Sequence, residues 1–301
     1  MKRREFIHKT ALTSVMLSVS TLPLMSFSRK KTKHITILHT NDTHSQIDPF
    51  DANHARNPNM GGVAPRATLI EKIRQENPNT LLLDAGDIFQ GTPYFNYYGG
   101  ELELKLMSKL KYDASTLGNH EFDNGLEGFL APLPHADFDF INSNYDFSNT
   151  ILDGYIKPYK IFELEGIKIG VFGLGIELEG LVSKPNYKET RYLDPIEIAQ
   201  EMTQRLKTQE KCNLIICLSH LGYRYNSNKI SDVVLAEKTR DIDLIIGGHT
   251  HTFLDKPTLV NNLDNQTVLV NQVGAYGINL GRIDFFFDTG KKSSNGKSIQ
   301  V

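Results

Sequence analysis

The chain has 301 residues, of which 40% are hydrophobic and 23% charged, and its formal net charge is −2. This length suffices for one large α/β domain or two small ones, and the composition is that of a globular protein with a sizeable core. A chain so close to neutral has no basic field to collect a polyanion, so we expect no polymeric nucleic acid as a partner.

The N-terminus, residues 1–28, is predicted to be an export signal. A charged head that contains Arg3 and Arg4 precedes residues 10–27, which are small or apolar and carry no charge, and this order is typical of export signals. The paired arginines with Phe6 two places on resemble a twin-arginine (Tat) signal. We therefore expect a periplasmic or other extracytoplasmic protein with no stable membrane insertion after signal removal. The alternative is an N-terminal membrane anchor, because the apolar stretch reaches the minimum spanning length.

From His34 onward, short apolar runs alternate with polar segments of helical periodicity. The predicted helices cover residues 65–75, 101–110 and 195–208. The predicted strands cover residues 35–39, 80–83, 114–116, 138–142, 159–162, 167–173, 214–218, 244–246, 268–272 and 281–287. Strands and helices alternate at first and the C-terminal third is richer in β, which predicts one α/β domain with a mixed sheet system over residues 32–288. The tail 289–301, rich in Gly, Ser and Lys, is predicted to be mobile.

The two cysteines, Cys212 and Cys217, fall in one predicted buried strand. Five extended residues separate their Cα atoms by roughly 16 Å at about 3.3 Å per residue, whereas a disulfide needs a separation of about 7 Å or less. We therefore expect neither a disulfide nor a cysteine zinc site, and both side chains are predicted to pack in the core.

Aspartates and histidines gather where the first predicted strands end. Asp42 and His44 follow the first strand, and an extended backbone would place these two side chains on one side. Asp87 follows the second strand behind Gly86, which permits a tight turn. A carboxylate beside an imidazole suits a divalent cation, and the two oxygens of Asp87 could bridge two ions. The loop 48–62 lies close along the chain to Asp42 and His44 and could border this site.

A second group of candidates follows the strand at 114–116. Asn119 offers a neutral oxygen ligand, and His120 is a candidate acid or phosphate-stabilising group. Asp123 lies three residues further on and could orient the imidazole of His120, as carboxylates do at metal sites.

The remaining imidazoles complete a set that could hold two metal ions. His220 follows one strand, and His249 and His251 follow another behind a pair of glycines. The candidate metal ligands are therefore Asp42, His44, Asp87, Asn119, His220, His249 and His251. Two ions that share Asp87 would use them all, and ions about 3.5–4 Å apart can bind a phosphate and activate a water. Nitrogen and oxygen ligands suit Mn, Zn, Fe or Co without choosing among them.

The order of these motifs resembles the calcineurin-like metallophosphoesterase superfamily over residues 34–287. The sequences of residues 39–45, 84–87 and 119–123 are similar to motifs of the N-terminal catalytic domain in its 5′-nucleotidase/UDP-sugar hydrolase branch. The resemblance implies a four-layer α/β/β/α sandwich. It implies one ion on Asp42, His44, Asp87 and His251, and a second ion on Asp87, Asn119, His220 and His249. His120 with Asp123 resembles the family's catalytic dyad, and we expect Asn119 and His120 to contact the substrate.

The function that this resemblance implies is hydrolysis of phosphate monoesters, with 5′-nucleotides as the expected substrates. Family 5′-nucleotidases carry a second, C-terminal domain that holds the nucleotide, so we expect a separately encoded C-terminal-domain protein as a partner. The alternative is a chain that acts alone on broader phosphate esters. Two other readings stay open: a 2′,3′-cyclic-nucleotide phosphodiesterase or sulfur-ester hydrolase on the same site, and a metal-holding assembly subunit without turnover. His120 and Asp123 argue against the last, because a structural site needs no spare acid.

Overall fold

Two six-stranded sheets form the centre of the fold, which a computed structural model describes over residues 32–301. The strands are β1 (Lys33–Thr40), β2 (Thr80–Asp84), β3 (Ala114–Ser115), β4 (Asp139–Phe140), β5 (Tyr145–Asp146), β6 (Tyr159–Leu164), β7 (Ile167–Leu174), β8 (Arg191–Tyr192), β9 (Leu214–Ser219), β10 (Leu244–Gly247), β11 (Thr258–Asn261), β12 (Thr267–Asn271), β13 (Asn279–Asp288) and β14 (Lys291–Gln300). The α-helices are α1 (Val63–Glu76), α2 (Pro93–Tyr98), α3 (Glu101–Lys109), α4 (Gly125–Leu130), α5 (Lys184–Tyr187), α6 (Pro195–Gln204) and α7 (Asp232–Lys238). The predicted export signal lies outside the described residues.

Each sheet combines a run of parallel strands with antiparallel strands, which lie at one edge of the first sheet and at both edges of the second. The strand order is β14-β13-β1-β2-β3-β4 in the first sheet and β11-β12-β10-β9-β7-β6 in the second, while β5 and β8 form a separate ribbon. In the first sheet β1 to β4 run parallel, and in the second sheet β7, β9, β10 and β12 run parallel. Because parallel strands end at the same edge of a sheet, the loops that follow them are gathered there.

The alternation of apolar side chains explains the layers. In β1, Ile35 and Ile37 pack between the two sheets, whereas Leu38 packs against helices on the outer face. In β9, Ile216 packs between the sheets and Ile215 packs against α6 and α7. Successive side chains of a strand point to opposite faces, so strands with continuous apolar runs become covered on both sides. Three apolar clusters therefore separate four layers, and the predicted α/β/β/α sandwich is confirmed.

The predicted strands and helices are all present with boundaries that differ by a few residues. The helix predicted at 195–208 begins at Pro195, because the Asp194 side chain accepts hydrogen bonds from the backbone N–H groups of Ile196 and Glu197 at 2.8 and 3.0 Å. After Gln204 it widens into a π-type turn. Several shorter elements, among them α2, α7 and β11, were not predicted from the sequence. Both cysteines are buried and unpaired, as expected.

The C-terminal tail is where the sequence prediction is wrong. Residues Lys291–Gln300 form β14, which pairs with β13 along its whole length. Composition predicted mobility because Gly, Ser and Lys favour solvent over a core, but ladder hydrogen bonds join backbone groups and need no apolar side chain. Lysines on an edge strand also disfavour pairing with another chain. Among residues 32–301, no helix has the length and apolar character needed to span a bilayer.

His39 connects the two sheets in the interior. Its Nε2 atom lies 2.8 Å from Nδ2 of Asn271 on β12, and its ring covers Gly281, where a Cβ atom would lie 2.0 Å from Nε2. The side chain is fully buried, and burial lowers the pKa of the imidazole to about 3. His39 is therefore neutral in the folded protein at physiological pH.

We expect His39 to make the fold sensitive to acid. The unfolded chain takes up a proton at His39 as the pH falls through about 6.5, whereas the folded chain does so only near pH 3, the pKa of about 3 that burial imposes. The stabilising contribution is complete above the unfolded pKa and is lost as the pH falls toward the folded pKa. In metal-free buffer, His39→Gln should show a flatter dependence of the free energy of unfolding on pH over this range, measured by urea denaturation. Equal slopes for both proteins would contradict this role.

Candidate metal centre

The predicted site residues lie in the loops that leave the carboxyl ends of the parallel strands. The first sheet supplies those that follow β1, β2 and β3: Asp42, His44, Asp87, Asn119, His120 and Asp123. The second sheet supplies those that follow β9 and β10: His220, His249 and His251. The two sets meet where the two sheet edges adjoin. The backbone N–H of His249 donates to Asp42, and His251 Nε2 contacts Asp42 Oδ1, although about two hundred positions separate these residues in sequence.

Left-handed backbone, rather than extended backbone, aims most of these side chains. The φ angle is +49° at Asp42 and +48° at His44, so the expected extended conformation between them is wrong. Asp87, His249 and His251 also have positive φ, at 54°, 71° and 50°. Such conformations cost a residue with a side chain about 1–3 kcal/mol each and persist only where the surroundings enforce them. Five of the seven candidate ligands therefore carry local strain at one place in the fold.

Backbone hydrogen bonds and one close approach fix the first two loops. The N–H of Asp42 donates to Gly86 O at 2.9 Å, and the N–H of His44 donates to Asp87 O at 3.0 Å. Gly86 has a φ of +86°, as its predicted tight turn requires, and a Cβ atom there would lie 2.5 Å from the backbone nitrogen of Gly118. The loops after β1, β2 and β3 are consequently packed against one another.

One group of donor atoms consists of Asp42, His44 and His251. The Nε2 atoms of the two histidines lie 2.9 Å apart, and Asp42 Oδ1 lies 3.3 Å from His251 Nε2 and 3.9 Å from His44 Nε2. Two imidazole nitrogens aimed at each other over this distance can share one proton or one cation. The three atoms lie within 4.8 Å of one another, which is the spacing expected around a single ion.

A second group consists of Asp87, His220 and His249, with Asn119 beside it. Asp87 Oδ2 lies 3.0 Å from His220 Nε2, and His249 Nδ1 lies 2.9 Å from Asn119 Oδ1. His220 Nδ1 lies 2.7 Å from the carbonyl oxygen of Ala85, and with a cation bound this contact would keep the proton on Nδ1 and leave Nε2 as the ligand atom. That fully buried Nε2 atom has no hydrogen bond of good geometry within the described residues. An orphaned, buried imidazole nitrogen of this kind fits a metal ligand.

Asp87 stands between the two groups. Its Oδ2 atom is 4.0 Å from His44 Nε2 of the first group as well as 3.0 Å from His220 Nε2 of the second. Burial acts to raise the pKa of Asp87, but the His220 imidazole and the other nearby histidines outweigh it and hold the pKa well below its usual range. The carboxylate is therefore ionised and available to both groups.

The charge balance of the site also fits a cation. Asp42 and Asp87 are 0% and 2% exposed, and histidines are the only basic side chains within 4.0 Å of either carboxylate among residues 32–301. Buried carboxylates without Lys or Arg partners are costly unless a metal compensates them. Oxygen and imidazole donors in this number suit divalent transition metals.

His120 and Asp123 form a pair beside the donor groups. His120 Nδ1 lies 2.8 Å from Asp123 Oδ2, and the backbone N–H of His120 donates to Asp87 Oδ1 at 2.8 Å. One ring nitrogen of His120 lies within 4.8 Å of donor atoms of His44 and Asp87. The hydrogen bond to Asp123, partly opposed by burial, raises the pKa of His120 to about 9. The pair is about one-third exposed, so it faces the open side of the site.

Glu121 is a site residue that the sequence reasoning missed. Its buried carboxylate accepts four backbone hydrogen bonds, from Gly118 at 2.6 Å, Ile88 at 2.7 Å, Asp87 at 2.9 Å and Phe89 at 3.3 Å. Burial and the Asp87 charge raise the pKa of Glu121 to about 7. The residue was visible in the motif that contains Asn119 and His120, but no sequence pattern shows that its side chain turns back to the backbone.

Comparison with known proteins gives independent information on this site. The family model described as Calcineurin-like phosphoesterase matches residues 35–253. The chain is 38% identical over 275 residues to a snake venom 5′-nucleotidase from Crotalus adamanteus, covering 84% of this chain and 45% of that protein. It is 37% identical over 286 residues to the trifunctional nucleotide phosphoesterase protein YfkN from Bacillus subtilis (strain 168), covering 84% of this chain and 18% of that protein. The chain thus spans less than half the length of these relatives.

The fold has similar neighbours among solved structures. A 5′-nucleotidase precursor from Thermus thermophilus superposes with a TM-score of 0.81 at 34% identity, covering 89% of this chain and 55% of that one. The NAD nucleotidase of Haemophilus influenzae superposes with a TM-score of 0.77 at 30% identity, covering 90% and 50%. Together with the α/β/β/α layers and the donor groups at the sheet edges, these matches establish the family. The chain belongs to the calcineurin-like phosphoesterase family of metal-dependent phosphoester hydrolases.

Proposed function

We propose that this protein is an exported phosphomonoesterase that uses two divalent ions to hydrolyse 5′-nucleotides. The observation that carries the proposal is the position of Asp87 between two clusters of donor atoms, with the His120–Asp123 pair beside them. Two neighbouring cation sites that share one carboxylate suit a phosphate group, whose oxygens can contact both ions. The nucleotide part of the proposal comes from the relatives, which are a 5′-nucleotidase and a nucleotide phosphoesterase by name.

The ligand assignment follows the two donor groups. Asp42, His44, Asp87 and His251 would hold the first ion, and Asp87, Asn119, His220 and His249 would hold the second. Support for it comes from the 3.3 Å approach of Asp42 to His251 and the 3.0 Å approach of Asp87 to His220. When bound, the ions would supply Lewis acidity, which would stabilise charge on the phosphate oxygens and lower the pKa of a nucleophilic water. Their identity among Mn, Zn, Fe and Co is left to metal analysis.

His120 would act on the phosphate from the open side of the site. Asp123 engages Nδ1 of His120, so Nε2 is the nitrogen that can donate a hydrogen bond to a phosphate oxygen or a proton to the leaving oxygen. The backbone N–H of His120 donates to Asp87 Oδ1, which joins the residue that would act on the phosphate to the carboxylate that lies between the two donor groups. Asn119, next in the chain, would contact the phosphate as well as the second ion.

Glu121 would position the loops that carry these groups. Its four backbone hydrogen bonds join the loop of Asp87 to the loop of Asn119 and His120. Both oxygens of the carboxylate are used in this way, so Glu121 is a positioning residue rather than a ligand. Because both loops are bonded to one side chain, the Asp87 carboxylate would keep a constant position relative to the two donor groups.

Export and a partner domain are separate proposals. Arg3, Arg4 and Phe6 in a charged head before an apolar stretch support export by the twin-arginine route. A C-terminal 5′-nucleotidase domain is proposed to complete the nucleotide pocket, because the relatives extend well beyond their matched parts. Replacing both arginines with lysine should trap the protein in the cytoplasm in a cell fractionation experiment. Unchanged export of that variant would remove the twin-arginine assignment.

The function is tested by phosphate release. The full chain loaded with Mn²⁺ should release inorganic phosphate from AMP, and EDTA should abolish this release. The same assay with a 2′,3′-cyclic nucleotide, an aryl phosphate and a sulfate ester separates the alternative substrates. Absence of turnover with every ester, at two bound ions per chain, would refute the proposed function and favour a metal-holding subunit.

His120→Asn separates chemistry from metal binding within that test. The variant should keep its metal content, measured by mass spectrometry of bound metals, because His120 is not among the proposed ligands. Its kcat should fall by about 100-fold or more, since acid–base groups contribute about 10²–10⁴-fold. An unchanged kcat would remove the catalytic role assigned to His120.

Glu121→Gln tests the positioning role. The amide cannot accept all four N–H groups, so the affinity for Mn²⁺ should fall about 10- to 100-fold, as at comparable outer residues of metal sites. Calorimetry measures the affinity, and activity should recover in part at saturating Mn²⁺. Asp113→Asn is the matched control. Asp113 also accepts a backbone hydrogen bond, from Leu82 at 2.7 Å, but it lies just before β3, whereas the metal centre follows that strand. Equal Mn²⁺ affinity in the wild type and Glu121→Gln would contradict the role.

A further inference from the structure

The loop 48–62 is a fixed structure beside the metal centre. Backbone hydrogen bonds join Phe50 N–H to Met60 O at 3.0 Å and Asn59 N–H to Phe50 O at 3.1 Å, so the loop closes on itself. At its base, Val63 N–H donates to Ile47 O at 2.8 Å. From outside the loop, the Tyr94 hydroxyl on α2 donates to Asp48 Oδ2 at 2.6 Å. These hydrogen bonds set the positions of the side chains that this loop presents.

Tyr276 packs against the proposed first ion site and has an unusual backbone conformation. Its φ angle is +61°, which is rare for a bulky residue, and its N–H donates to Asp42 O at 2.7 Å. The centre of its ring lies 5.7 Å from the ring of His44 and 5.8 Å from the ring of His251. Strained residues are retained where the surroundings demand them, and they cluster at functional sites. The strain at Tyr276 holds an aromatic ring against two proposed ligands of one ion.

Two rings of the loop extend this surface away from the ions. Phe50 packs edge to face on Tyr276, with ring centres 5.9 Å apart and planes at 89°. His54 packs on Phe50, with ring centres 4.4 Å apart. Phe50, His54 and Tyr276 are all partly exposed, so this row is not core packing. We refer to these three residues as the aromatic lip.

We propose that the aromatic lip binds the planar group of the substrate, such as a nucleobase or an aryl ring, while the phosphate lies at the metal centre. This inference rests on the proposed function and adds a specificity surface within the catalytic domain itself. Three features support it: the row begins in contact with His44 and His251, its three residues are partly exposed, and backbone hydrogen bonds close the loop that carries Phe50 and His54. Aromatic side chains bind planar groups by stacking regardless of base identity, so the lip favours aromatic esters over aliphatic ones without selecting one base.

The test compares two esters on the Mn²⁺-loaded full chain. AMP carries a planar group and glycerol 2-phosphate does not. Phe50→Leu should lower kcat/KM for AMP about five- to twentyfold, chiefly through KM, because stacking on one ring typically contributes such a factor. For glycerol 2-phosphate, kcat/KM should change less than twofold. Phe50→Tyr should retain the preference for AMP, because the ring is retained.

The chain offers a matched control at the opposite edge of the first sheet. Phe286 is partly exposed and stacks on His34, with ring centres 4.5 Å apart, as Phe50 stacks on His54. The two residues pair across β1 and β13, where β1 begins rather than where it ends at the site. Phe286→Leu makes the same change in a histidine-stacked phenylalanine, and it should leave both esters unaffected.

A binding measurement keeps the inference testable apart from turnover. Calorimetry on Mn²⁺-loaded His120→Asn should show that adding Phe50→Leu weakens AMP binding by a similar factor and leaves the binding of inorganic phosphate unchanged. Equal losses for AMP and glycerol 2-phosphate, or unchanged AMP binding in Phe50→Leu, would overturn the role of the lip. Absence of turnover of every ester by the wild type would instead refute the proposed function, while the AMP binding comparison would still decide the lip.

Discussion

The constraint on which the rest of this structure depends is a pair of buried carboxylates without lysine or arginine partners. Asp42 and Asp87 are removed from solvent and face only imidazoles among the basic groups of the described chain. Such an arrangement is unfavourable by itself and becomes favourable when a divalent cation occupies the space between the donors. The hydrogen bonds between the loops hold these donors together despite the strained backbone, and the buried His220 Nε2 atom, which has no well-formed hydrogen bond among the described residues, lies with them.

The fold makes this arrangement possible by bringing two sheet edges together. Each sheet buries its parallel strands on both faces, which fixes the direction in which every following loop must leave. Strain in the loops is tolerated because their backbones bond to one another and to Glu121 rather than to solvent. The stability of the sandwich thus offsets the cost of a preorganised site, which is the usual division between scaffold and function.

Much of the fold and of the candidate site follows from sequence patterns. Runs such as residues 214–218 are apolar at every position, so they predict strands covered on both faces, and β9 is found there. The Gly-Asp and Asn-His-Glu motifs at strand ends predict donor residues, because loops after parallel strands meet. The prediction of a mobile tail was wrong for a physical reason. Strand β14 depends on backbone hydrogen bonds to β13, and composition carries no information about a neighbouring strand. The prediction of an extended backbone between Asp42 and His44 was wrong because the spacing of residues in the sequence does not reveal left-handed backbone.

The sequence by itself determined the residue types, their order along the chain and the strands that they follow, because these depend on local periodicity and on donor chemistry. The family resemblance had already implied the two donor sets and the shared Asp87. Only the tertiary structure decided the distances between these donors and that Glu121 binds two loops at once. It also decided that Tyr276 and the loop of Phe50 meet beside His44. Some of these contacts join segments that lie more than two hundred residues apart in sequence, and they exist only once the packing of both sheets has fixed every loop in space.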